Sequence, residues 1–258
     1  MILNNNIIKI IICLIIFLIS FEINADENKV NKFMDREIND CINCDLSNLN
    51  FKHMDLTNAD MSGSLLVNTN FHRTKLKGAN FSNTEIFDAN FNKTDLIKAN
   101  FENAKIKNTM FYAANMSKSS FKNAHLDKVR SQKAVLTGSN LENILIENSY
   151  FNDAQFASSS LAFAKFSNTN FENANFQKTN FTNVESFRTI YSKTNFRKAD
   201  LTNSTFIKTD FYKSRVREVI LSNTLFKDTN LLSAKFYKTN KKDAEYQNCI
   251  MPSGEHVK

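Results

Sequence analysis

Large apolar residues recur at every fifth position of this chain, without an insertion, from Leu46 to Tyr246. The stretch TNFENANFQKTNF shows the register: Phe171, Phe176 and Phe181 sit five apart, and Thr169, Ala174 and Thr179 each lie two residues before one of them. Of the 41 positions in the series 38 are apolar, and the exceptions are Ser131, Ser186 and Lys241. Two residues earlier the pattern is nearly as strict, with 34 of the 39 positions from Met54 to Ala244 being Ala, Ser or Thr. A period of five fits neither regular element. Along a straight strand, residues five apart face opposite ways, and an α-helix smears such a pattern around its axis. Within one unit the small and large residues are two apart, so an extended backbone puts both on one side. The backbone must then turn before the next pair. The residue two after each large one is the expected corner; it is rich in Asn and Lys and holds Gly63, Gly78 and Gly138. Asn and Gly tolerate the backbone angles of tight turns. The chain is therefore expected to coil.

Units such as Ala79-Asn80-Phe81-Ser82-Asn83 and Ala199-Asp200-Leu201-Thr202-Asn203 resemble the A(D/N)LXX signature of pentapeptide repeat proteins, over about 200 of the 258 residues. The resemblance implies an all-β fold, a right-handed quadrilateral β-helix with four units, or 20 residues, per coil. About ten coils at ~4.8 Å spacing would make a rod ~50 Å long. The sequence holds its own trace of the coil. Phe51, Phe71, Phe91, Phe111, Phe151, Phe171 and Phe211 share one column with Tyr191. From Leu66 to Leu126 aliphatic and Phe centres alternate, so two faces would stack Phe on Phe; a period of ten fits that alternation equally well. Opposite charges also recur at 20, in Asp55, Lys75, Asp95 and in Glu102, Lys122, Glu142. Ser131 and Ser186 each follow an oversized neighbour, Val129 and Val184, which conserves volume. For Ser186 a rival reading is a local slip that buries Phe187 instead.

Outside the repeat the chain changes character. An apolar run from Ile7 to Ile19, followed by Ser20 to Ala25 and the acidic Asp26-Glu27, reads as a signal peptide over residues 1–25, with cleavage after Ala25. The run is short for a membrane span of about 20 residues. Residues 26–40 carry Val30, Phe33, Met34, Glu37 and Ile38 at helical spacing, and the open first coil of a β-helix needs a cover; a short capping helix is expected. The repeat array would occupy residues 41–250, and residues 251–258, with Pro252, would turn away as a tail.

Composition and charge then bear on function. With 24 Phe, no Trp and 42% hydrophobic residues, the chain can bury a large core. Cys41 and Cys44 sit in register at the first coil, one at a large and one at a small position. An exported chain permits a disulfide there, two small buried hydrophobes would also fit, and no thioredoxin-like context supports a redox motif. His53 and His72 would share a face, without a third metal ligand at zinc-site spacing. No phosphate loop, nucleophile elbow or carboxylate pair appears. No cofactor, metal, small-molecule substrate or catalytic residue is expected.

The net charge of +7 is unevenly distributed over the four faces. The face of Leu56, Leu76 and Leu96 carries Lys75, Lys77, Lys98, Lys118, Lys178, Arg197, Lys198, Arg215, Arg217, Lys235 and Lys238 against Asp55, Asp95 and Glu218. A one-sided basic stripe suits an anionic partner, although lysines at corners also serve solubility alone. The face of Leu46 and Leu66 shows outward Leu65, Val67, Phe87, Leu145, Phe187, Ile207 and Leu225, an apolar stripe along which two rods could pair. The leading expectation is an exported, periplasmic or secreted, non-enzymatic binding or structural rod, whose basic face meets an anionic polymer, envelope surface or acidic protein. The family resemblance also implies an alternative, a DNA-mimicking rod that protects gyrase. That role needs an acidic, cytoplasmic molecule, and the positive charge and export signal oppose it. Nucleic-acid binding fits the charge but conflicts with export.

Overall fold

The computed structural model describes residues 27–258, so the expected signal peptide lies outside the described residues. The chain winds into a four-sided parallel β-helix of about nine turns. Every ladder contact along it joins residues 20 apart, from Asp40 with Asp60 to Asn230 with Ile250, with no slip anywhere. We name the faces by their central residues Leu66, Phe71, Leu76 and Phe81. The Leu66 face is a ten-stranded parallel sheet, running from Leu65–Val67 to Ala244–Gln247. The other faces are held mainly by single bridges, apart from the paired strands Arg215–Arg217 and Lys235–Tyr237 on the Leu76 face.

The corners are where the pattern placed them. At every fifth position from residue 43 to residue 238 the backbone has positive φ, in 37 non-glycine residues and in Gly63, Gly78 and Gly138. At Gly63 the small residue is also sterically demanded, since a Cβ there would stand 2.0 Å from the Asn43 Oδ1 of the preceding coil. Asn or Asp just before a central residue closes the turn locally: Asn70 Oδ1 accepts from the His72 amide at 3.0 Å and Asp200 Oδ1 from Thr202 at 3.0 Å. The small positions have a double task. They leave room for the large residues, and their hydroxyls donate to a carbonyl one coil away, as in Thr74 to Phe51 at 2.8 Å, or within their own turn, as in Thr84 to Phe81 at 2.6 Å, with Ser214 an exception that finds no partner. Most buried polar groups of the coil are thereby paired.

Inside, the alternation of aliphatic and aromatic centres becomes two facing stacks. Phe71 and Phe91 lie 4.7 Å apart and Phe81 and Phe101 4.8 Å apart, with near-parallel rings, while Phe71 meets Phe81 edge-on at 5.9 Å. Offset stacks and edge-to-face contacts are the favoured aromatic arrangements. Ser186 does not mark a slip, because Phe187 stays outward and 38% exposed. Its hydroxyl sits 3.0 Å from that of Tyr191, which is fully buried in the Phe column. The extra oxygen of Tyr191 thus takes space that Ser186 vacates, and burial pushes the phenol pKa up. Ser131 has no such partner; its hydroxyl is buried and unbonded beside the buried Val129.

The N-terminal helix, 27–34, is the expected cap. Phe33 is fully buried and meets Phe51 at 5.9 Å, with Val30, Met34 and Ile38 packed around it. At the other end the expected tail is instead a structured closure. A 3-10 turn at Lys241–Asp243, capped by Asn240, takes Lys241 out of the core series, and Cys249–Ile250 pairs antiparallel with His256–Val257. Gly254 at φ 91 makes that reversal, and the hairpin supplies hydrogen bonds to an edge that would otherwise be open. Among the described residues no helix is long and apolar enough to cross a membrane.

The Ser186–Tyr191 pair gives a stability test. Ser186→Ala leaves a buried phenol without a partner and should lower unfolding free energy by about 1–3 kcal/mol. Adding Tyr191→Phe should recover most of that loss in urea denaturation followed by circular dichroism. A single variant as stable as the parent would show that the pair contributes nothing.

Candidate functional site

Outward side chains of this fold lie in columns, each residue above its counterpart 20 positions earlier, so the surface is read column by column. Some columns set opposite charges on one another, and others stack like charges, as in Lys98 with Lys118 and Asp127 with Glu147. Lys75 Nζ is 3.3 Å from Asp55, Lys105 2.8 Å from Glu85, Lys107 3.7 Å from Asp127 and Lys165 3.1 Å from Glu185. The expected series Glu102, Lys122, Glu142 does not pair. The Ser120 hydroxyl donates to Glu102 at 2.8 Å and that of Ser160 to Glu142 at 3.1 Å, because a serine on the adjacent column is nearer than the lysine.

The apolar stripe on the Leu66 face resolves into separate patches. Val67 adjoins Phe87 and Phe187 adjoins Ile207, whereas Leu65 faces Glu85, Leu145 lies between His125 and Lys165, and Leu225 faces Thr205. Between the two patches run the ion pairs of Lys105, Lys107 and Lys165 and the contact of His125 with Glu147 at 3.0 Å. The cause is the intervening coils, which supply charge at these positions.

The basic stripe divides as well. Lys75, Lys77, Lys98 and Lys118 lie on the first coils, followed by a neutral stretch at Val135, Thr137, Gln155 and Ala157. Lys178 marks the edge of the second group. There Arg215 faces Lys235 and Arg217 faces Tyr237 on neighbouring strands, with Arg197 one coil before Arg217. Gln177, Asn195, Arg197, Arg215, Arg217, Lys235 and Tyr237 line an open depression of about 460 Å³. It continues around the corner into a second depression lined by Lys193 and Lys213, sharing Arg215 and Lys235. Lys193 and Lys213 belong by count to the Phe71 face, so a face-by-face tally separates them from neighbours two residues further on. Their corner positions were the available signal. Lys193 is held by Glu172 at 2.8 Å, and Lys213 lies 4.8 Å over the Tyr212 ring.

Besides Glu172 at Lys193, one further carboxylate is paired with this group among the described residues. Glu218 accepts from Arg217 Nε at 2.9 Å and lies 3.4 Å from Lys198. Partial desolvation pushes its carboxyl pKa up, but hydrogen bonds from Arg217 and Lys198 outweigh this and hold it below the usual carboxylate value. Arg217 also stacks on the Tyr237 ring at 5.0 Å, with Lys238 5.7 Å from the same ring. Arg197 Nε is buried and has no acceptor.

Elsewhere the expected features stay apart from this group. Cys41 and Cys44 are joined as a disulfide at the first coil, Cα atoms 5.4 Å apart and both buried. Cys249 is buried at the far end, its thiol donating to the Phe226 carbonyl as a threonine would. The His53 and His72 rings lie 6.3 Å apart, and no three His, Cys, Asp or Glu side chains converge to hold a metal among the described residues.

Comparison with family models matches "Pentapeptide repeat region" over residues 84–161 and "Pentapeptide repeats (8 copies)" over 44–83, 149–185 and 188–217. Comparison with curated proteins gives no match. Among solved structures the chain is similar to HetL, a pentapeptide repeat protein involved in heterocyst differentiation regulation from the cyanobacterium Nostoc sp. strain PCC 7120. The identity is 18%, covering 89% of this chain and 98% of that one, with a TM-score of 0.49. It is also similar to full-length QnrB1, a plasmid-mediated fluoroquinolone resistance protein, at 17% identity, 80% and 93% coverage and a TM-score of 0.43. A pentapeptide repeat protein of the Arabidopsis thaliana thylakoid lumen matches at 25% identity, 39% and 66% coverage and a TM-score of 0.31.

Glu218 gives the local test of this arrangement. Glu218→Gln releases Arg217 and Lys198 and should delay elution from a cation-exchange matrix more than Glu102→Gln, which removes the same charge elsewhere. Equal delays would show that only net charge counts.

Proposed function

We propose that this chain, which belongs to the pentapeptide repeat family, acts after export as a rigid non-enzymatic rod that binds an anionic partner through the C-terminal coils of its Leu76 face. The observation that carries this reading is the clustering of stacked like charges there, Arg215 on Lys235 and Arg197 below Arg217, with Lys193 below Lys213 around the adjoining corner. Like charges directly opposite destabilise a sheet, so an unrelieved set of them suits a surface completed by opposite charge from outside. The partner chemistry is an anionic polymer or an acidic protein surface. The gyrase role implied by the family calls for an acidic rod, and the net charge of +7 runs against it. Export is supported by the apolar N-terminal run and by the Cys41–Cys44 disulfide, a bond that persists in oxidising compartments. The non-enzymatic reading is supported by a filled interior, in which the large side chains of every face are buried against one another.

Retention on an anionic matrix tests the reading. Arg197, Arg215 and Arg217 changed together to Glu should elute at much lower salt than the parent, and clearly below a control with Lys75, Lys77 and Lys98 changed to Glu. Unchanged retention of the first variant would end the proposal. Pairing of two rods is a second reading, favoured by Phe187, 38% exposed beside Ile207. Sedimentation should move from dimer to monomer in Phe187→Ser; a parent that is monomeric at high concentration ends that reading.

A further inference from the structure

The basic end of the Leu76 face is more than a charged surface. Arg197, Arg215 and Lys235 have no acidic partner among the described residues; Glu218 is turned to Arg217 and Lys198, and Glu172 to Lys193. The repulsion between Arg215 and Lys235 is built into the register: a parallel stack cannot slide one residue to relieve it without turning its core outward. The Nε hydrogen of Arg197 is buried and unbonded, a state that normally requires an acceptor. These groups meet at one depression, lined also by Gln177, Asn195 and Tyr237 and by no carboxylate.

We propose that this depression is a discrete oxyanion site for a dianionic tetrahedral group, inorganic phosphate or a phosphate monoester carried by the partner. The proposal rests on the anionic-partner reading and narrows it to phosphoryl chemistry. Guanidinium groups present paired N–H donors in a plane that matches phosphate oxygens. Three of them converge here from two columns, with Lys235 as a fourth cation. A monocarboxylate would leave most of that charge unmatched, whereas a dianion offers several acceptor oxygens to the guanidinium and ammonium groups that line the depression. Phosphate would also screen Arg215 from Lys235, so binding and relief of the built-in repulsion are one event.

The test is calorimetric titration of the full chain with inorganic phosphate at low ionic strength, with acetate at matched ionic strength as the monoanion. Saturable binding of one phosphate per chain is expected, weaker by about tenfold in Arg215→Gln and in Arg197→Gln and unaltered in Lys98→Gln. Melting provides a second readout. Phosphate should raise the melting temperature of the parent through mass action and that of Arg215→Gln clearly less at the same concentration. Without phosphate, Arg215→Gln should melt no lower than the parent, since it removes a like-charge opposition. Phosphate binding that does not saturate, that acetate matches, or that Lys98→Gln weakens as much as Arg215→Gln overturns the site. If the chain is retained on an anionic matrix yet shows no phosphate saturation, the discrete site is wrong and the broader reading stands. If retention also fails, both fall.

Discussion

Turning an extended backbone through a quarter circle in one residue requires positive φ, and this chain does so without a miss at every fifth residue between 43 and 238. Left-handed backbone is uncommon for residues with a Cβ, and Asn and Asp occupy it more readily than others. That preference is visible in the corners themselves, from Asn43 and Asn48 to Asn223. Once the corner recurs at five, the inward direction of the central residue and of the small residue two before it is fixed. The layer spacing of 20 follows, because four corners close one circuit. Hydroxyl, phenyl and amide groups then repeat at the same height in each layer. This is why Phe stacks on Phe, and why Asn68 Nδ2 can donate to Asn48 Oδ1 and Asn123 to Asn103.

The same register makes surface electrostatics a problem in one dimension. A charge cannot choose its neighbour; it receives whatever lies 20 residues away. On the Leu66 face Lys105, Lys107 and Lys165 each receive the opposite sign, and at the C-terminal end of the Leu76 face Arg215 and Arg217 receive a like one. The repulsion is tolerated because each coil depends mainly on its two neighbours. Beneath Arg215, Arg217 and Lys235 the core continues through the buried Phe196 and Val216 to the partly buried Phe236. Local consistency fails where outward charges meet, a place where such conflicts often serve binding.

Much of the fold was legible in the sequence because its signal is long and phase-locked. The corners, the inward pairs, the two aromatic stacks and the N-terminal cap were all written in residue type and spacing. The pairing of Ser186 with Tyr191 was not. Ser186 was visible as an exception and Tyr191 as the one Tyr in a column of Phe, but their contact joins centres of adjacent faces five residues apart, and only the closed circuit brings those side chains together at the axis. The C-terminal hairpin was illegible for a different reason: strands of two residues, Cys249–Ile250 and His256–Val257, are too short to carry a pattern. At the basic site the face tally found the arginines and lost Lys193 and Lys213, because a corner belongs to two faces and a tally assigns it to one.

The strict layering has a consequence for how this chain can change over generations. Gain or loss of 20 residues lengthens or shortens the stack by one storey and leaves each side's chemical identity intact. Gain or loss of five residues keeps every side chain correctly inside or outside, and so spares the core. Yet it rotates everything downstream by ninety degrees, sending the arginines of one wall onto the next. Stability and surface identity therefore answer to different arithmetic, and a lineage that retains its binding wall is confined to indels in whole storeys.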